Sequence, residues 1–346
     1  STATTGTGRN TAVGSSTLLA ITTGSQNVTI GTSTGATLTT SSNNVLIGHN
    51  SGTAINAAQT TTDGTVAIGS LSLTALTTGA GNTAVGYQSG FSSDTNSNNT
   101  FIGYNAGYEA DASTVSAISN TYIGSGAGQY LDDGDENVAI GHGAMASNSD
   151  GAANAVRYSI AIGRSAMASS TLNLGTIAIG YYAGDHASAD IDNAVIIGRQ
   201  AARGALTDAA SGTVAIGYSS LAALTSGGNN LAIGYNAGLQ ITTGTKNYAI
   251  GTAAMADTGG TDAHVHTENL MIGHAAGGGA WSGAVSSYNV GIGHGVFGGA
   301  MAGALNNTAL GHSALTALTS GASNVAVGSG AGAAITTSNN NTIIGK

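Results

Sequence analysis

The chain has 346 residues, of which 56 are glycine, none is proline or cysteine, and only 7% are charged while 41% are apolar. Without cysteine there is no disulfide framework and no thiolate chemistry; without proline there is no collagen; and the apolar content is too high for a plainly disordered chain. A net charge of −9 with seven scattered Lys and Arg argues against nucleic acid as a partner, and no apolar run is long enough for membrane insertion. The chain opens Ser1-Thr-Ala without Met or a signal-peptide pattern, as expected of a processed chain or a piece of a longer one.

One phrase recurs from end to end: Asn-x-Ala-Ile-Gly, then a few variable residues and a small one. Its glycine falls in chain order at Gly14, Gly31, Gly48, Gly69, Gly86, Gly103, Gly124, Gly141, Gly163, Gly180, Gly198, Gly217, Gly234, Gly251, Gly273, Gly293, Gly311, Gly328 and Gly345. Ten of the eighteen intervals are 17 residues and the rest 18 to 22. The residue before each glycine is Ile, Val or Leu, and the residue four before it is Asn in fourteen copies. So short a unit cannot bury an apolar face alone, so neighbouring copies must stack. Glycine and β-branched residues at this density are incompatible with helical repeats. Val66-Ala-Ile-Gly69 reads instead as a short strand closed by a glycine turn.

These patterns predict an all-β protein, a parallel β-solenoid of about 18 short coils forming one repeat domain over residues 1–346. A second apolar run, as in Leu76-Thr-Thr-Gly79 and Ile241-Thr-Thr-Gly244, predicts two strands and two turns per coil. Asn and Gly suit the turns, and stacked Asn side chains are expected to form hydrogen-bonded ladders. Strings such as Gly124-Ser-Gly126 lack the strand-helix-strand setting of a dinucleotide site. By alternation, the first and third strand residues, such as Val214 and Ile216, are expected inside and the middle one outside. That middle residue is Ala in eleven copies and otherwise often a larger apolar residue such as Leu46, Phe101, Ile196, Met271 or Ile343. A row of this kind on the outside predicts parallel, in-register association of identical chains.

Asn137-Val-Ala-Ile-Gly141 and Asn324-Val-Ala-Val-Gly328 resemble the head repeats of trimeric autotransporter adhesins. The longer form, Asn230-Leu-Ala-Ile-Gly-Tyr-Asn-Ala-Gly238 running on to Thr242-Thr-Gly244, is still more similar to bacteriophage tail-fibre repeats. The resemblance covers essentially the whole chain. It implies a homotrimeric β-roll or β-helix shaft, a segment of a longer fibre on a virion or cell surface, which grips a host glycan or protein. The heptad stalk, anchor barrel and C-terminal chaperone of those families have no counterpart here, and most coils are longer than those of the adhesin heads.

Chemistry in repeat proteins concentrates in the insertions. Asp262-Ala-His264-Val-His266-Thr-Glu268 offers His264 and His266 to a transition metal. Asp132-Asp133-Gly-Asp135-Glu136 offers Asp132, Asp133 and Asp135 to Ca²⁺, without EF-hand spacing. Twelve of the sixteen acids lie between Asp94 and Asp208. The slot after the motif glycine carries Tyr87, Tyr104, Tyr181, Tyr218 and Tyr235, together with five of the eight histidines (His49, His142, His274, His294 and His312). The tyrosines, with Trp281 in a glycine-rich insertion, are candidate platforms for sugar rings. No catalytic residue stands out: Glu109 with Asp111, or Asp190 with Asp192, are the carboxylate pairs a polysaccharide depolymerase would need, and they lie in irregular turns. An ice-binding surface would need an unbroken Thr array, and the series Thr22, Thr39, Thr77, Thr225, Thr242, Thr319, Thr336 lapses through the acidic middle. The expectation is a non-enzymatic adhesive or structural fibre, with a bacterial adhesin or self-assembling extracellular filament as the alternative.

Overall fold

Each copy of the phrase forms one three-residue strand that ends just before its glycine. The computed structural model describes residues 8–55, 62–109, 117–131, 134–147, 156–169, 173–185, 191–257, 266–281 and 283–346. The chain divides into two units, Ser1–Leu174 and Gly175–Lys346. The first holds β1 (Thr11–Val13) to β9 (Ile160–Ile162) and the second β10 (Ile177–Ile179) to β19 (Thr342–Ile344). Within each unit every strand pairs in parallel with the next in chain order, repeat position against repeat position. In the second unit, for instance, Val214, Ala215 and Ile216 face Leu231, Ala232 and Ile233, which in turn face Tyr248, Ala249 and Ile250. Both units are parallel β-solenoids, and the helical content among the described residues is the single 3₁₀ turn Asp208–Ala210.

Among the described residues one strand per coil, not two, forms. The Leu-Thr-Thr-Gly leg has no strand, yet it still stacks. Thr225 N–H donates to the Thr242 carbonyl at 2.8 Å, and Thr319 N–H to that of Thr336 at 2.8 Å. Glycine within that leg and the tight corners around it leave too few extended residues for a ladder.

The phase of the strand is also the reverse of the sequence expectation. The middle residue points in and the first and third point out: Ala67, Ala215, Ala232 and Ala249 are fully buried, as are Leu46, Phe101, Tyr122 and Met271. Ile30, Ile102, Ile233 and Ile292 remain 37–39% exposed. Parity explains the reversal. The motif Asn lies two residues before the middle position, so both share a face, and the Asn side chains are inside. Asn247 N–H donates to Asn230 Oδ1 at 2.9 Å, Asn324 N–H to Asn307 Oδ1 at 3.0 Å, and Asn341 N–H to Asn324 Oδ1 at 3.0 Å. Most of the amide nitrogens reach a carbonyl of the next coil, as Asn230 Nδ2 does to Gly244 at 2.7 Å and Asn324 Nδ2 to Ser338 at 2.8 Å. The first unit repeats the relay through Asn82, Asn99, Asn120 and Asn137. These groups lie away from water, so each must be satisfied internally, and the ladder confirms the expected Asn stacking.

The interior beside the Asn column is thin, which is why Ala dominates there. Larger residues fit where the facing turn gives way: a Cβ on Gly107 would lie 2.6 Å from Phe101, and one on Gly128 would meet the Tyr122 ring. Phe101 and Tyr122 pack on each other with ring centroids 5.5 Å apart.

The motif glycine closes the strand at φ near +139° in Gly234, where an added Cβ would lie 2.5 Å from the Gly251 carbonyl oxygen. Both the backbone angle and the space exclude a side chain. Gly234→Ala is therefore expected to cost on the order of 3 kcal/mol or more, read as a large drop in thermal melting temperature, whereas Ala at the exposed Tyr235 should leave it nearly unchanged.

Burial holds the Tyr122 phenol far above the ordinary tyrosine range, with Asp135 adding to the rise and the Asn137 side chain opposing it. The unfolded phenol ionises near pH 10, so the folded state loses stability as pH climbs past that value while Tyr122 stays protonated. Melting temperature in the parent should fall more steeply above about pH 10 than in Tyr122→Phe, and parallel alkaline profiles would show the ring to be indifferent.

Candidate functional site

In-register stacking turns each outward repeat position into a column. The slot after the motif glycine lies beside the strand's exposed face, and its side chains stack coil on coil. Tyr218 and Tyr235 lie with centroids 5.1 Å apart and planes 11° from parallel, and Tyr87 and Tyr104 at 5.5 Å and 15°. His274, His294 and His312, all exposed, form a continuous run at 4.9 and 5.1 Å. The spacing is that of neighbouring strands. Ring faces inside such a stack cover one another, so a ligand there meets ring edges and hydroxyls instead of the open faces that sugar stacking requires.

Arg199 occupies the same slot in the coil between Tyr181 and Tyr218, its guanidinium carbon 5.7 Å from both ring centroids. Tyr181 touches Tyr182 at 4.1 Å, and Arg203 lies over Tyr182 at 4.7 Å. Two guanidiniums thus flank a pair of phenols on the surface of the second unit. Composition gave no hint of this grouping. The signal lay in register, because Arg199 stands 18 residues after Tyr181 and 19 before Tyr218, one coil either way.

Trp281 is fully buried, which corrects its expected role as a surface platform. Its ring packs edge-on against His266 at 5.4 Å, and its backbone N–H donates to the Asp257 carbonyl at 3.0 Å. A large ring in a coil rich in glycine fills the volume those glycines leave empty. His266 is buried too, and its Nδ1 accepts the Ser286 N–H at 3.0 Å, so that nitrogen holds a neighbouring turn. His264, Asp132 and Asp133 lie outside the described residues. Asp135 caps the Ile118 N–H through Oδ1 at 3.0 Å, and its Oδ2 lies 3.7 Å from Arg157 Nε. Among the described residues no three His, Asp or Glu come together as metal ligands.

Asp111 and Asp190 are likewise outside the described residues, and their proposed partners Glu109 and Asp192 are therefore seen without them. Burial, and after it the Glu109 carboxylate, raises the Tyr108 phenol. The Thr series is used within the fold: Thr22, Thr225 and Thr319 each donate Oγ1 to the next coil's Thr carbonyl at 3.0 Å, so those hydroxyl protons are not presented to an ice lattice. No described helix is long and apolar enough to cross a membrane.

No protein-family model matches this chain, and no curated protein matches it in sequence.

Trp281→Ala should cost about 3–5 kcal/mol as a core truncation, measured by thermal or denaturant unfolding. An unchanged unfolding curve would return Trp281 to the surface.

Proposed function

We propose that this chain is the shaft of an extracellular attachment fibre whose copies associate side by side in parallel, as a homotrimer, and present their outward columns to a host or other surface. The observation that carries the reading is the apolar row formed by the third strand residue on the outer face, flanked by a first-residue row that is Val, Ile or Leu in twelve of the nineteen strands. The third strand residue is Ile, Val or Leu in every copy, and Ile233, Ile292 and Leu310 keep 37–46% of their surface exposed. Contiguous apolar surface of this kind marks a contact site, and a strand apolar on both faces is normally covered on both. Ridges that repeat at the strand spacing mesh best with ridges of the same period, which a second copy of the chain supplies in register. The partner face is thus the Ile, Val and Leu rows, in place of the middle Ala row that the sequence suggested.

Trimer is favoured by the likeness to adhesin and tail-fibre repeats and the extracellular setting by the same likeness. Adhesion through glycan or protein follows from placing stacked polar aromatics beside the association face.

Static light scattering on the parent should return three times the chain mass of 33.3 kDa. Ile233→Glu with Ile292→Glu, which put charge on the outer face without entering the core, should shift the protein towards monomer while circular dichroism stays unchanged. A monomeric parent at micromolar concentration ends the side-by-side reading.

A further inference from the structure

We infer that the Arg199–Tyr181–Tyr182–Arg203 cluster, continued by Tyr218 and Tyr235, is a binding site for a carboxylate-bearing saccharide, a uronate chain, lying along the solenoid axis. The inference deepens the attachment reading above and rests on it.

The slot after the motif glycine is unlike the rest of the chain. Thirteen of its nineteen residues are Tyr, His, Arg or Lys, types that supply only 27 of the 346 residues, and the other six are Ser or Thr. Neither Asp nor Glu occurs there, although the chain carries sixteen acids and twelve of them lie between Asp94 and Asp208. Every member of the column has a side-chain proton to donate. Fold stability does not ask for this, because the inward positions and the Asn relay already fix the register. A surface of donors without a carboxylate is suited to a ligand rich in acceptors and negative in charge.

The cluster is where that chemistry is densest. Arg199 and Arg203 reach their tyrosines through ring faces, which leaves the in-plane N–H groups of each guanidinium for acceptors at the rim. Arg157 pairs with Asp135 and Lys246 with Glu268, whereas neither Arg199 nor Arg203 pairs with a described carboxylate. The Arg203 Nε is buried with no hydrogen-bond partner, so a ligand at the surface would meet this guanidinium through its terminal N–H groups. A planar fork of this kind matches a carboxylate in bidentate geometry. Beyond it, the rings of Tyr218 and Tyr235 repeat with centroids 5.1 Å apart, a step close to the length of one pyranose ring. A saccharide can then place one acid group on the arginines and its hydroxyls on successive rungs. A nucleic acid is a poorer fit, since phosphate backbones are held by many clustered Lys and Arg and this chain has seven in all.

The test is titration calorimetry of the full chain with an oligogalacturonate hexamer, a neutral maltohexaose and inorganic polyphosphate in parallel. The galacturonate is expected to bind, with affinity falling as salt rises. Arg199→Ala with Arg203→Ala should weaken it at least tenfold, and Arg9→Ala should leave it unchanged. Equal binding of maltohexaose, equal binding of polyphosphate, no binding of galacturonate, or full affinity in the double variant would each overturn the site. Light scattering on the same samples separates the two ideas: an assembled but non-binding protein removes the ligand and leaves the fibre reading standing.

Discussion

The backbone contact between successive motif glycines is the constraint on which the rest depends. At Gly234 the space a Cβ would take is held by the carbonyl oxygen of Gly251, and the same contact joins Gly251 to Gly273 and Gly293 to Gly311. Only glycine permits coils to approach this closely at positive φ. Because the contact repeats once per coil it fixes translation as well as spacing, and a slip of one residue would drive a side chain into the neighbouring backbone. In-register parallel pairing is thus enforced by sterics before any side chain contributes.

Once register is fixed, like stacks on like and each repeat position acquires a single fate. Inside, the Asn carboxamide accepts from the next coil's backbone and donates to its turn, as at Asn230, whereas Thr213 at the same repeat position leaves its buried Oγ1 without a partner. The residue two positions on must share that interior, and its size is set by how much room the opposite turn leaves. Outside, the same logic lines up Ile with Ile, Tyr with Tyr and His with His. Insertions leave this core intact: the 22-residue interval between Gly251 and Gly273 still pairs Ala249 with Met271 and Ile250 with Ile272. In the next interval, of 20 residues between Gly273 and Gly293, Trp281 is fully buried within the coil.

The repeat, the parallel coil and the Asn ladder were legible in the sequence because each is a periodic signal summed over nineteen copies. Strand phase was legible too, but only through the Asn. A buried amide ladder places Gly−4 and Gly−2 on one face, whereas ranking residues by hydrophobicity sends Val and Ile inward and Ala outward. Hydrophobicity misleads here because the interior is too narrow for β-branched residues on every rung, so the bulkier residues stay outside. The missing second strand follows from the same narrowness: its leg is mostly corner. Trp281 was misplaced because a lone aromatic in a glycine-rich insertion looks exposed until the volume left by those glycines is counted. The arginine–tyrosine cluster could have been found by aligning coils instead of reading along the chain.

The two outward features are consequences of one lattice and divide the surface between them. The strand's third residue gives an apolar row, flanked by a mixed row, mostly Val, Ile, Leu and Thr, from the first, and on the reading proposed above these rows meet a copy of themselves. The slot after the glycine, where the chain turns away from the sheet, gives a column of donors. Association through the rows would leave that column at the rim of the contact, still open to a ligand. It would also bring equivalent columns of neighbouring chains alongside one another. A linear ligand that contacts several rungs gains from each without a deep cavity, since successive contacts act at high effective concentration. Weak, exposed contacts are sufficient for attachment when they are copied along a fixed period, and the fold supplies that period through glycine and asparagine alone.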